Sequence, residues 1–202
     1  MAIKNLLIDL GGVLYNIDVE GTLAAFTALQ APGAPKIDFT KQAQHHWFDE
    51  LDRGTLSADG FLMGLQEEFQ IEAELPQLRQ IWQDLLVGLY PHREAQVAQL
   101  ATRYRIALLS NTNGAHRDHY IDECRAMFGH MDHVFYSFEM GMRKPDAEIF
   151  ETALNRAGWQ AAETLFLDDS RANIAAAAAL GLHTRLISAP EVFDAVVAEC
   201  MG

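Results

Sequence analysis

The second half of the chain alternates helix-like and strand-like segments, and this rhythm constrains the fold more than any other feature of the sequence. It predicts helices at 93–104, 114–128, 145–157, 171–180 and 190–200, and strands at 105–110, 133–137, 164–168 and 183–188. Strands that alternate with helices form a mostly parallel sheet with helices on both faces. The chain is therefore predicted to be an α/β protein.

An apolar run near the start supplies one more strand, and this strand ends in a carboxylate. Residues 3–10 show no strict alternation of polar and apolar side chains, as expected for a strand that is covered on both faces. Asp9 lies at its end, and Gly11 and Gly12 follow, where they permit close backbone approach. Burying a carboxylate is costly, so the arrangement suggests that Asp9 has a chemical role.

Between the first strand and residue 90 the pattern is helical. Helices are predicted at 19–29, 38–52 and 58–69, and another carries apolar residues from 78 to 86. Asp38 and Ser57 are candidate N-caps, and Gly54 marks a helix end. No convincing strand is expected between residues 19 and 90. Phe61 and Trp82 are expected in the core of this segment.

The bulk composition excludes several classes of function. A net charge of -13 and a pI near 4.9 disfavour binding to nucleic acids or to anionic membranes. We expect no signal peptide, because the apolar run at the start is short and contains Asp9, and no run approaches the roughly 18 apolar residues of a membrane span. Cys124 and Cys200 form no ligand-like pattern and are expected to be reduced thiols. We therefore expect a cytoplasmic protein.

Polar residues follow several of the predicted strands. Because the carboxyl ends of parallel strands meet at one edge of a sheet, these side chains should lie close together. Carboxylates near one another favour Mg²⁺, and the lack of His or Cys among them argues against zinc. A carboxylate can also attack a phosphoryl group, and a lysine can neutralise it. The residues that follow strands in this way are Asp9, Ser110, Asn111, Asp168 and Asp169, and Lys144 lies in a loop before a predicted helix.

Each of these residues alone could merely cap a helix or a turn, but together they form four motifs in a known order. The motifs are IDLGGVL with Asp9, LLSNTN with Ser110, RKPD with Lys144, and FLDDSRAN with Asp168 and Asp169. Through them the whole chain resembles the haloacid dehalogenase-like hydrolase superfamily. Within it, the chain is similar to small phosphatases of the glucose-1-phosphate phosphatase type and to the amino-terminal domain of bifunctional epoxide hydrolases.

The resemblance implies an architecture and a set of roles. It implies a Rossmann-like, three-layer core at 1–16 and 91–202 with an inserted helical cap at 17–90. It also implies a Mg²⁺-dependent phosphatase for a small phosphorylated metabolite, for which a sugar phosphate is the first guess. In the implied roles, Asp9 is the nucleophile and also a metal ligand. The other implied metal ligands are the Gly11 carbonyl, Asp169 and Asp168, the last directly or through water. Ser110 and Asn111 would bind the phosphoryl group, Lys144 would neutralise its charge, and Arg53 in the cap would contact the substrate.

One position departs from the superfamily pattern. Most of its phosphatases carry a second Asp two residues after the nucleophile, which protonates the leaving group and later activates water. Here that position is Gly11. Three explanations stay open: another acid such as Asp18, His45 or His46, a substrate whose leaving group needs little protonation, or a weak or inactive member that binds a phosphorylated ligand.

Three further expectations concern residues around these motifs. The paired Asp168 and Asp169 argue against a dehalogenase, since those relatives need no metal and lack the pair. Asn173 is expected to brace the loop that carries this pair. His116 and His119 stand three residues apart on a predicted helix without a third ligand, and both are expected at the surface.

Overall fold

The fold is described from a computed structural model of the chain, which covers residues 2–37 and 46–202. A five-stranded, fully parallel sheet lies at the centre, with strand order β5-β4-β1-β6-β7. Its strands are β1 (Asn5–Ile8), β4 (Arg105–Ser110), β5 (His133–Tyr136), β6 (Thr164–Asp168) and β7 (His183–Leu186). The predicted α/β class and parallel sheet are confirmed.

Two apolar clusters, one on each face of the sheet, produce the three layers. In β1, Leu6 and Ile8 belong to one cluster, and Leu7 between them belongs to the other. Every residue of β1 is buried, which explains why its sequence lacks alternation. The helices that cover the two faces are α5 (Arg93–Leu100), α6 (Gly114–Phe128), α8 (Ala147–Ala157), α9 (Arg171–Ala179) and α10 (Pro190–Met201).

The first four helices of the described chain pack around an apolar cluster of their own. They are α1 (Val19–Ala28), α2 (His46–Asp52), α3 (Ala58–Glu68) and α4 (Leu75–Asp84). Phe61 and Trp82 lie in that cluster, as expected. Ser57 caps α3, because its hydroxyl accepts a hydrogen bond from the Gly60 N–H at 3.1 Å. The expected cap at Asp38 lies outside the described residues. We refer to α1–α4 as the cap, although the domain bounds 17–90 stay a prediction.

The expectation of no strand between residues 19 and 90 is wrong. Strand β3 (Leu86–Leu89) pairs antiparallel with β2 (Tyr15–Ile17), so the chain enters and leaves the cap through a two-stranded ribbon. The apolar run at 78–86 was predicted as one helix, but α4 ends at Asp84 and Leu86 belongs to β3. A short helix, α7 (Ser137–Met140), follows β5 and was not predicted.

No helix in the described ranges is long and apolar enough to cross a membrane. Cys124 is buried, Cys200 is partly buried, and both are free thiols, in agreement with the expectation from the sequence.

Candidate active site

Three adjacent strands deliver the polar residues that the motifs singled out. Asp9 follows β1, Ser110 ends β4 and Asp168 ends β6, and β1 lies between the other two in the sheet. One oxygen from each of Asp9, Asp168 and Asp169 can be chosen so that all three lie within 4.8 Å of one another. The predicted meeting of these carboxylates at one sheet edge is therefore what the topology produces.

Lys144 is buried between two of these carboxylates. Its Nζ lies 2.8 Å from Asp9 Oδ1 and 2.7 Å from Asp168 Oδ2, and only 1% of the residue is exposed. Burial by itself lowers the pKa of an ammonium, but the charges of Asp168 and Asp9 outweigh burial and raise the pKa of Lys144. Lys144 is therefore charged throughout the neutral range.

Asp168 is buried at the back of the site and fully hydrogen-bonded. Its Oδ1 accepts from the Ser170 backbone N–H at 2.7 Å. The Asn173 amide donates to both carboxylate oxygens, at 3.0 and 3.1 Å, which is the bracing contact expected for Asn173. With Lys144 on Oδ2, these contacts hold Asp168 in a fixed orientation.

Asp169 lines the cavity in front of Asp168, and Gly12 makes room for it. A Cβ atom on Gly12 would lie 2.2 Å from Asp169 Oδ2, and the φ angle of 78° is one that other residues rarely adopt. Close backbone approach is expected at both Gly11 and Gly12, and Gly12 is the position that requires it.

The negative charges of Asp9, Asp168 and Asp169 repel each other, and this repulsion favours the binding of a metal cation between them. Burial raises the pKa of Asp9 to about 7 against the opposing effect of Lys144, and the charges of Asp168 and Asp169 add to the rise. A divalent cation would relieve this repulsion. Because the donors are all carboxylate oxygens without His or Cys, they suit Mg²⁺.

Ser110 and Asn111 lie beside this cluster in different settings. Asn111 lines the cavity, and its amide exchanges two hydrogen bonds with the Lys144 backbone, each 2.9 Å long. It thus ties the end of β4 to the loop that carries Lys144. Ser110 is buried, and its hydroxyl lies 3.5 Å from the Asn111 carbonyl.

Asp9 and Asp169 lie at the polar end of a cavity of about 480 Å³ between core and cap, and Asp168 is buried behind them. Asp9, Gly11, Lys144 and Asp169 contribute to this end. The core adds further polar lining residues after β4 and β6, such as Asn111, Asn113 and Ser170. The apolar part of the wall comes mainly from the entry ribbon and the cap, through Ile17, Val19, Phe48, Trp82 and Leu85. A cavity of this kind can hold a charged group at one end and a carbon skeleton at the other.

Two titratable cavity residues were missed as site residues. Asp52, at the end of α2, lines the cavity and pairs with Arg143, with 3.2 Å between Oδ2 and Nη2. His116, expected at the surface, is buried against Trp82, whose carbonyl lies 3.0 Å from its Nε2. The expectation for His116 is wrong because the cap covers the start of α6, which no local pattern reveals. His119 is exposed, as expected.

A family model of the haloacid dehalogenase-like hydrolases matches residues 3–181. The chain belongs to this family. A D-ribitol-5-phosphate phosphatase from Bacteroides thetaiotaomicron is 31% identical to this hydrolase over 188 residues, which cover 90% of each chain. A sesquiterpene phosphatase from Aspergillus oryzae is 41% identical over 64 residues, 32% of this chain and 33% of the relative.

A solved structure resembles this hydrolase over nearly its whole length. It is a haloacid dehalogenase family enzyme from Bacteroides thetaiotaomicron, determined as a variant in complex with magnesium and inorganic phosphate. The two chains share 29% identity with a TM-score of 0.80, and the match covers 91% of this chain and 93% of the other.

Several residues suggested from the sequence do not line the cavity of this hydrolase. Arg53 forms ion pairs with Asp49 and with Asp146 instead, and so links the cap to the core. Asp18 is exposed and caps α1, where its Oδ1 accepts from the Gly21 N–H at 2.8 Å. His46 is exposed outside the cavity lining, and His45 lies outside the described residues.

Proposed function

We propose that this hydrolase is a Mg²⁺-dependent phosphatase that cleaves a small phosphomonoester through a phosphorylated Asp9. The observation that carries the proposal is the group of three carboxylates within 4.8 Å at the polar end of the cavity, with buried Lys144 on two of them. A carboxylate held this way can attack phosphorus if cations offset the charge of the phosphate.

In this proposal, the residues around Asp9 divide the work. Asp9 attacks through the carboxylate oxygen that does not contact Lys144. Lys144 neutralises the phosphoryl group and holds Asp9 in place. Asn111 positions Lys144 through the two hydrogen bonds to its backbone. Ser110, at the end of β4, is kept as a phosphoryl ligand on the family resemblance alone.

Asp9, Asp169 and the Gly11 carbonyl would hold Mg²⁺, and Asp168 would support it directly or through water. Asp168 is the least available of the carboxylates because Lys144, Ser170 and Asn173 already occupy its oxygens. When bound, the metal supplies positive charge that screens the repulsion between Asp9 and the phosphate. The choice of Mg²⁺ is supported by the similar enzyme, which was determined in complex with magnesium and inorganic phosphate.

For the substrate, a phosphorylated polyol or sugar is the first candidate, since the relative that matches 90% of the chain is named a ribitol-phosphate phosphatase. The apolar wall with Phe48 and Trp82 favours testing an apolar phosphomonoester beside it, and the partial match to a sesquiterpene phosphatase points the same way. A volume of about 480 Å³ limits the substrate to a small molecule.

The test is hydrolysis of a panel that contains ribitol 5-phosphate, hexose phosphates, a prenyl monophosphate and p-nitrophenyl phosphate, each with Mg²⁺ and with EDTA. We expect Mg²⁺-dependent release of phosphate from at least one member. Asp9→Asn should abolish it, and the matched change at an exposed carboxylate, Asp84→Asn, should leave it intact. Unchanged turnover in Asp9→Asn would refute the role of Asp9.

A second candidate is a protein that binds a phosphorylated ligand without turning it over, in a regulatory role. The glycine at position 11, where an acid is expected, is the observation that favours it. This candidate predicts ligand binding with no hydrolysis of any panel member. It also predicts that Gly11→Asp adds no activity.

A further inference from the structure

The proposed reaction lacks a proton donor at its usual position, although an alcohol leaves phosphorus readily only if it is protonated. For a substrate with an alcohol leaving group, the proton has to come from another group at the cavity. Among the described residues that line it, the titratable side chains are Asp9, Asp52, His116, Lys144 and Asp169. Asp9, Lys144 and Asp169 already have roles, which leaves Asp52 and His116.

His116 is unsuited to this task. Burial lowers the pKa of its imidazole to about 4, so the ring is neutral at physiological pH. Its Nε2 lies 3.0 Å from the Trp82 carbonyl, and because a carbonyl can only accept, this nitrogen carries the proton and donates it there. A neutral ring with its N–H already engaged is a poor acid.

Asp52 is held firmly where the cap meets the core. Its carboxylate contacts Arg143, the residue next to Lys144, and only 15% of its side chain is exposed. The turn after it sits tightly on α7, because a Cβ atom on Gly54 would lie 2.5 Å from the Phe138 carbonyl oxygen. Arg53 fixes the same turn through Asp146.

From this placement we infer that Asp52 is the proton donor and acceptor of the reaction, in place of the acid missing at Gly11. The inference rests on the proposed phosphatase function. In the first step Asp9 forms a bond to phosphorus, the bond from phosphorus to the alcohol oxygen breaks, and the Asp52 proton passes to that oxygen. In the second step Asp52 takes a proton from water, the water oxygen bonds to phosphorus, and the bond to Asp9 breaks. Free alcohol and inorganic phosphate are released, and Asp52 is protonated again.

The charges around Asp52 are compatible with this cycle. Burial raises the pKa of Asp52 to about 7, the Arg143 charge opposes the rise, and the Asp49 charge adds to it. Lys144 and Arg53 also oppose the rise, more weakly. Asp52 can therefore hold a proton near neutral pH and also lose it, as a group that acts first as acid and then as base must.

The experiment compares leaving groups. An alkyl phosphate such as ribitol 5-phosphate needs protonation of its leaving alcohol, whereas 2,4-dinitrophenyl phosphate releases a stable phenolate. In Asp52→Asn, kcat/KM should fall by about 10²- to 10⁴-fold for the alkyl ester and by less than about 10-fold for the aryl ester. The control is Asp49→Asn, which also removes a carboxylate from Arg143, at 3.4 Å, but lies outside the cavity lining. It should affect the two esters equally and weakly.

A second variant tests directly whether Asp52 takes the role of the acid that is missing at position 11. The Cβ of an Asp at position 11 would meet only Ile17, at an ordinary 3.4 Å, so the family acid can be restored. Gly11→Asp in the Asp52→Asn background should recover at least about 10-fold in alkyl phosphate hydrolysis. In the wild-type protein, kcat/KM should also depend only weakly on the basicity of the leaving group across a series of aryl phosphates. This measurement does not require any variant to fold.

The outcomes separate this inference from the proposed function. An equal loss for both esters in Asp52→Asn would mean that Asp52 only positions Arg143, and no loss would mean that it has no part. Either result, or a steep leaving-group dependence in the wild type, overturns the inference and leaves the phosphatase intact. A wild-type protein that hydrolyses neither ester with Mg²⁺ refutes the proposed function itself.

Discussion

Replacing Asp52 by Asn should change how stability depends on pH. The pKa of Asp52 is raised from 3.8 to about 7 in the folded protein, mainly by burial. The folded state therefore holds a proton between about pH 4 and pH 7 that the unfolded state has lost. A carboxyl group with a raised pKa stabilises the fold at low pH, and this contribution disappears as the pH rises through about 7.

The size of this loss of stability follows from the linkage between proton binding and folding. Each pH unit over which the two states differ by one proton is worth about 1.4 kcal/mol, so the wild type loses about 2–3 kcal/mol between pH 5 and pH 8 through Asp52. Asn does not titrate and loses nothing. Asp9, whose pKa is also raised, is present in both proteins and cancels in the comparison.

The measurement is urea unfolding of both proteins in EDTA at several pH values, followed by circular dichroism. Relative to the wild type, Asp52→Asn should gain about 2–3 kcal/mol from pH 5 to pH 8, or roughly 5–10 °C in Tm. Asp49→Asn is the control, since Arg53 lowers the pKa of Asp49 and keeps this carboxyl charged throughout that range. A difference between wild type and Asp52→Asn that stays constant with pH would refute the assignment of a raised pKa to Asp52.

Two further variants test the rest of the site. Lys144→Met leaves the buried carboxylates of Asp9 and Asp168 without their cation. The substitution should lower the free energy of unfolding by about 3–5 kcal/mol at neutral pH. A loss below about 1 kcal/mol would contradict the view that these carboxylates depend on Lys144 for their burial. Gly12→Ala pushes a methyl group into Asp169 and should raise the Mg²⁺ concentration for half-maximal activity about 10- to 100-fold. Gly181→Ala, at a similar positive φ with open space around it, is the control and should leave the Mg²⁺ dependence unchanged.

The sequence by itself determined the layered core and the shared edge of the sheet. Apolar runs without alternation predict buried parallel strands, and residues that follow such strands must meet at the carboxyl edge. The strand ends therefore predict that Asp9, Ser110 and Asp168 lie near one another, whereas the place of Lys144 beside them follows only from the family resemblance. The ribbon of β2 and β3 escaped prediction because its pairing joins residues some seventy positions apart, and a local apolar run does not distinguish a strand from the end of a helix.

Only the tertiary structure decided which cap residues reach the cavity. Arg53 and Asp52 are neighbours in the sequence at the end of α2, yet Arg53 pairs with carboxylates outside the cavity and Asp52 lines it. His116 likewise becomes a buried cavity residue only because α4 packs over it. Such placements depend on how the cap docks on the core. Docking is set by contacts between segments distant in sequence, such as Gly54 on Phe138, and these leave no periodic signal in the chain.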